Sequence, residues 1–139
     1  MAQFTAKISD FGLCCYFDDF TLSYQASATK KLPYKWLSPE ALQQRKFSEK
    51  SDVWSFGVLM YEIFSGGKAP YETIENAEVS KFLSSGRRLE SPEETPEEVY
   101  SIMMSCWEAE PELRPSFQSL VEKFHGILSR ETQEYGYLS

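Results

Sequence analysis

Apolar residues recur along this chain mostly at helical spacing, and one stretch departs from any one-sided pattern. Residues 51–64 carry Val53, Trp54, Phe56, Val58, Leu59, Met60, Tyr61, Ile63 and Phe64. On a 3.6-residue period these cover nearly the whole circumference. A helix that is apolar on every side is a buried helix, so the pattern predicts a central helix with the other elements packed around it. Ser51 and Asp52 supply an oxygen cap and an acid at the positive end of the dipole. Gly66-Gly67 supply the stop. The run is too short and too broken by polar groups to cross a bilayer.

The flanking pattern predicts smaller elements. Residues 4–9 alternate in part and are bounded by Asp10 and Gly12, which reads as a short strand. Residues 13–37 show no period and are too long for an ordinary connection, which marks a functional loop. Ser38-Pro39-Glu40 opens a short helix running to about Arg45, with serine as cap and proline at the first helical position. Asn76 caps a helix that Gly86 ends. Thr95-Pro96-Glu97-Glu98 reads as a capping box, and Val99, Ile102, Met103, Cys106 and Trp107 follow at helical spacing. Pro111 and Pro115 break the chain. Ser116 caps a last amphipathic helix with Phe117, Leu120, Val121, Phe124, Ile127 and Leu128 inside. Residues 129–139 read as a fraying tail. The fold class is therefore mainly α, helices around a central buried helix at 51–64, with one domain over 1–128.

Composition narrows the function. At 139 residues, 42% hydrophobic and 15% aromatic, the chain has enough apolar material for one core and too much for disorder. A net charge of −7 disfavours nucleic acid and anionic membrane surfaces as partners. Cys14, Cys15 and Cys106 show no zinc spacing and suit a reducing compartment, cytosolic or nuclear. The first residues lack a signal-peptide core.

Chemistry enters at Asp10-Phe11-Gly12, placed directly after the expected strand. A carboxylate there can hold magnesium against phosphate oxygens, and the glycine lets the backbone turn. Downstream, in order, come Ser38-Pro39-Glu40, Asp52-Val53-Trp54-Ser55-Phe56-Gly57, Cys106-Trp107 and Arg114-Pro115. This ordered set covers nearly the whole chain and resembles the C-terminal lobe of a eukaryotic protein kinase. The segment Lys31-Leu32-Pro33-Tyr34-Lys35-Trp36, with Cys106-Trp107, is similar to the tyrosine kinase branch.

The resemblance implies roles residue by residue. Asp10 matches the magnesium ligand, and residues 13–37 match the activation loop. Tyr24 stands where tyrosine kinases place their self-phosphorylated tyrosine; a phosphate there would add charge and acceptor oxygens. Pro33, Lys35 and Trp36 match the substrate platform. Glu40 and Arg114 resemble a buried ion pair, and Asp52 resembles the aspartate that holds the catalytic loop's backbone. Where the family commonly reads Leu-Ala-Arg or Leu-Ser-Arg after its Asp-Phe-Gly, this chain has Leu13-Cys14-Cys15. A base such as Lys30 would have to replace the arginine that grips the phosphotyrosine.

Equally informative is what the residues do not include. There is no glycine-rich loop, no Val-Ala-Ile-Lys strand and no His-Arg-Asp loop; the single histidine, His125, precedes Gly126. The expectation is a partial tyrosine kinase domain, inactive alone. Its complete parent would use ATP and magnesium on tyrosine-containing proteins, at a cytoplasmic location or on the cytoplasmic side of the plasma membrane. A non-catalytic module that binds kinases or their substrates, and a gene remnant, stay open. With the catalytic loop missing, the pattern also predicts an unpaired Asp52, uncovered apolar surface and marginal stability. Other groups read as ordinary structure: Cys14-Cys15 as packing thiols, His125 as a surface residue, the glutamates of 90–98 as a solvated face, and Tyr135 and Tyr137 as part of the tail.

Overall fold

Ser48, not Ser51, starts the central helix. The computed structural model, which describes residues 7, 23–25 and 32–134, places helix α2 at Glu49–Phe64. Ser48 Oγ accepts from the Lys50 amide at 3.2 Å, and Ser51 Oγ accepts from the Ser48 amide at 2.8 Å. The two serines thus cap each other's backbone, the reciprocal arrangement of a capping box. Apolar spacing begins only at Val53, so Glu49 and Lys50 hid the first turn. At the other end Gly66 and Gly67 take positive φ (75° and 93°), and the Gly67 amide reaches back to the Glu62 carbonyl at 2.8 Å.

Around α2 stand α1 (Pro39–Gln44), α3 (Asn76–Ser84), α4 (Glu97–Cys106) and α5 (Phe117–Glu134). Val53, Trp54, Val58 and Met60 of α2 form one cluster with Val79 and Leu83 of α3, Val99, Ile102, Met103 and Cys106 of α4, then Trp107 and Leu120. Apart from Val79 and Leu83, these are positions whose helical spacing marked them as core. The α2–α4 contact is tightest at Gly57, where a Cβ would lie 2.6 Å from Trp107 Nε1 and 2.9 Å from Cys106 Cβ. Gly57→Ala should therefore cost about 1–3 kcal/mol through overpacking, outweighing any gain in helix propensity. Urea unfolding measures this, and an unchanged midpoint would contradict so close a contact. Burial in the same place pushes the Cys106 thiol up to about 11, so it is a packing group and a poor nucleophile.

The central helix is not covered all round. Leu59 is 46% and Ile63 65% exposed, and Asp52 is exposed on the same line of the helix. The uncovered apolar surface that the sequence predicted is thus present, and it corrects the reading of 51–64 as buried on every side. On α5, Leu120 is buried and Phe117, Phe124 and Ile127 are half-buried, but Val121 and Leu128 face solvent at 64% and 62%. These two were expected inside. Phe56 joins the helices through edge-on contacts with Phe117 and Phe124, at centroid distances of 6.1 and 6.3 Å.

The remaining differences are local. Strand β1 (Ser23–Gln25) pairs antiparallel with β2 (Lys46–Ser48), setting Tyr24 opposite Phe47. Three-residue strands are too short to show a period. Ser38 occupies the cap position of α1, and Arg45 closes that helix in a left-handed conformation (φ 53°). The capping box expected at Thr95 does not form, because Pro96 itself takes the cap position and its carbonyl accepts from the Val99 and Tyr100 amides. Glu75, one residue before Asn76, holds the cap position of α3. Ser116 does cap α5, accepting from the Ser119 amide at 3.1 Å, and α5 runs on to Glu134, past the expected start of the tail. The strand expected at 4–9 lies outside the described residues.

Candidate functional site

The segment singled out as a platform is a single 3-10 turn, Tyr34–Trp36, with Pro33 exposed at its cap position. Proline fixes φ and pre-sets such a turn. Three bonds to distant parts of the chain hold it in place. The Ser55 hydroxyl of α2 donates to the Trp36 carbonyl at 2.8 Å. The Trp36 indole N–H donates to the Glu62 carboxylate, one end of α2 reaching what its middle already holds. The Lys35 ammonium donates to the Tyr71 carbonyl at 3.0 Å. Tyr71 is buried and sits at φ 52°, a left-handed conformation that a bulky residue adopts only when its surroundings demand it. Burial pushes its hydroxyl up to about 12, with Arg88 opposing and Tyr61 adding. The turn is therefore tied to α2 and to the turn that follows it.

Directly after the platform comes the ion pair. Arg114 NH1 and NH2 each donate to one oxygen of Glu40 at 2.8 Å, spanning 74 positions of sequence. The geometry is bidentate, the strongest arrangement for this pair. Arg114 also donates to the carbonyls of Glu108 (2.8 Å) and Lys50 (3.0 Å). Lys50 returns the contact by donating to the Arg114 carbonyl at 2.7 Å. The guanidinium is fully buried, and its centre lies 5.1 Å from the Trp54 ring. Arg88 approaches the same ring at 5.2 Å while donating to the Trp107 carbonyl at 2.8 Å. Trp54 is thus flanked by two cations. Burial alone would raise the Glu40 carboxyl, but hydrogen bonding and charge from Arg114 outweigh it and hold the group below its ordinary value.

Asp52 stands apart from both groups. Among the described residues it makes no hydrogen bond or ion pair. Partial desolvation, then the charge of Glu49, push its carboxyl up. Tyr24 is placed by its backbone in β1, opposite Phe47. Asp10 lies outside the described residues, and among those described no three acidic, histidine or cysteine side chains gather as a metal site.

Glu62, Tyr71 and Lys50 were not singled out from sequence, and Trp54 and Ser55 entered only as members of the apolar run and its motif. Glu62 and Ser55 are the polar exceptions inside an apolar run, which was their one available signal. Tyr71 acts through its carbonyl and Lys50 through both its ammonium and its carbonyl, and a backbone acceptor leaves no trace in residue type.

The protein tyrosine and serine/threonine kinase family matches residues 1–124. The chain is 48% identical over 121 residues to the human tyrosine-protein kinase Srms, covering 87% of this chain and 24% of that protein. It is 47% identical over 131 residues to the mouse megakaryocyte-associated tyrosine-protein kinase, covering 94% and 24%. A putative tyrosine-protein kinase of Caenorhabditis elegans is 45% identical over 135 residues, covering 97% of this chain and 15% of that protein. The chain spans about a quarter or less of the length of these relatives. With its ordered motifs and the match over residues 1–124, the chain belongs to the protein tyrosine and serine/threonine kinase family, on the tyrosine kinase branch.

Proposed function

We propose that this chain supplies the substrate-presenting, helical part of a protein tyrosine kinase domain, and that it transfers no phosphate by itself. The observation that carries the reading is the clamped turn Tyr34–Trp36, tied to α2 at Ser55 and Glu62 and followed at once by the Glu40–Arg114 pair. A rigid turn at that place gives a tyrosine-bearing segment a surface fixed relative to the rest of the domain. Positioning of that kind accounts for much of phosphoryl transfer.

In a complete domain, magnesium-bound ATP brings the transferable γ-phosphoryl group and the charge that neutralises its oxygens. Asp10 is the residue here that would face the metal. Tyr24, on a strand paired with β2, is the site at which phosphorylation would add negative charge and acceptor oxygens. Pro33, Lys35 and Trp36 would face the substrate, with Lys35 keeping further N–H donors beyond the one given to Tyr71. Asp52 would accept from the catalytic loop of a complete domain. The substrates are tyrosine-containing proteins, and the location is cytoplasmic. Among the described residues no helix is long and apolar enough to cross a membrane.

Transfer itself needs a base for the tyrosine hydroxyl and a clamp on the phosphates. The sequence contains neither a His-Arg-Asp loop nor a glycine-rich phosphate loop. Given ATP, magnesium and a tyrosine-containing polymer, the chain alone is expected to stay at the level of a blank; turnover that depends on Asp10 would overturn this.

A further inference from the structure

Bases are outnumbered in this chain, 14 against 21 acids, yet several gather around one exposed hydroxyl. Ser85 closes α3 at its C-cap in a helical conformation (φ −76°, ψ 0°). Residues i and i+4 are neighbours on a helix surface, so Lys81 lies one turn below it. Lys81 is exposed and makes no hydrogen bond or ion pair among the described residues. Arg87, two positions after Ser85, is also exposed, with its guanidinium 5.7 Å from the Phe82 ring. Arg88 is half-buried and donates to the carbonyls of Trp107 (2.8 Å) and Leu83 (3.1 Å). It anchors the segment and leaves Arg87 open to solvent.

Accessibility and charge together select a modification. The Ser85 hydroxyl is bonded locally, to the Phe82 carbonyl at 2.6 Å. Gly86 follows at φ 89°, and a Cβ there would meet no atom within 4 Å. Residues 87–92 carry no helix or strand. A kinase that reads a basic residue beside its serine can therefore reach the hydroxyl and Arg87 together. Ser48, preceded by Arg45 and Lys46, is the competing serine. It is half-buried in β2 and accepts from the Lys50 amide as the cap of α2, so transfer there would break that cap. The helix dipole opposes an anion at the end of α3. Two cations beside it offset that effect, because charge-assisted hydrogen bonds to phosphate oxygens are strong. The site also adjoins the platform's support. Phe82 stands edge-on to Tyr71 at 5.6 Å, and the Tyr71 carbonyl holds Lys35.

We infer that Ser85 is a phosphoacceptor for a separate, arginine-directed serine/threonine kinase, with Arg87 read during transfer and Lys81 and Arg87 holding the product phosphate. ATP is the donor. The bond from Ser85 Oγ to the γ-phosphorus forms as the bond to the ADP oxygen breaks, and the hydroxyl proton passes to that kinase's base. The chain is the substrate in this step, so the inference does not rest on its proposed part in tyrosine phosphorylation.

The full chain, ATP, magnesium and a purified arginine-directed serine/threonine kinase test it, with an acid-directed kinase run alongside. The arginine-directed enzyme should add one phosphate, which peptide mapping places on Ser85. Ser85→Ala should remove the label and Arg87→Ala should slow its incorporation at least tenfold, both with circular dichroism unchanged. Hydrogen exchange at the amides of residues 82–85 should be as slow after phosphorylation as before it. The same amides should exchange faster once Lys81→Ala is phosphorylated. The inference is overturned if no label enters, if it maps to Ser48 or another residue, or if the acid-directed enzyme labels Ser85 as fast. Labelling of Arg87→Ala at the parent's rate would overturn it too. Faster exchange in the phosphorylated parent, or none in phosphorylated Lys81→Ala, would overturn the holding of the phosphate.

Discussion

Arg114→Ala is expected to lower folding stability by about 3–5 kcal/mol, the cost of breaking a buried ion pair by removing one partner. The variant deletes both bonds to Glu40 and the donors to the Glu108 and Lys50 carbonyls. It also takes away a guanidinium packed on Trp54. Glu40 would be left largely buried without its counter-charge. Arg114→Lys keeps the charge but loses the fork, so it should recover only part of the loss. Urea unfolding followed by circular dichroism gives the comparison, and a loss below ~1 kcal/mol would show the pair to be dispensable. A pH dependence accompanies it. The Glu40 carboxyl is held below its ordinary value of 4.5 in the fold, so the folded state favours the ionised form. Its contribution is complete above that ordinary value and fades as pH falls through the lower folded one. Arg114→Ala should flatten this part of the acid limb.

Trp54→Ala is the second large effect, about 3–5 kcal/mol for emptying a fully buried site of its ring. Against the 5–15 kcal/mol typical of a whole domain, that loss threatens cooperative folding altogether. Trp54→Phe should cost roughly half as much or less. It keeps a ring face between Arg88 and Arg114. It also removes a buried indole N–H that has no partner among the described residues, and an unmet donor carries its own penalty. Equal losses for the two variants, read from thermal melts, would mean that the ring's face contributes nothing beyond the indole's full volume.

Much of the scaffold was legible because it depends on residue type at a fixed period. Val53, Trp54, Val58, Val99, Ile102, Met103 and Cys106 declare a helix–helix core by spacing alone. Proline and serine announced α1 and α5. The ion pair was legible only through the family resemblance, since no rule of spacing links positions 40 and 114. Other features were hidden for physical reasons. The first turn of α2 is polar and its true cap is one of two serines three residues apart. The strands are too short to have a period. The exposed line at Leu59 and Ile63 looks identical, in sequence, to a buried one: apolar residues report that a surface wants covering, not that it is covered. At the platform, Lys35 and Trp36 were recognisable, but their supports at Tyr71 and Ser55 work through a carbonyl and a small hydroxyl. Asp10 and the side chain of Tyr24 lie outside the described residues.

The central claim is that this chain holds a kinase's substrate platform and scaffold without the groups that move phosphate. Its most direct test is incubation of the full chain with radiolabelled ATP, magnesium and a tyrosine-containing polymer, under conditions where it melts cooperatively. The account predicts no label in the polymer above a blank. Transfer that disappears in an Asp10→Asn variant would contradict it.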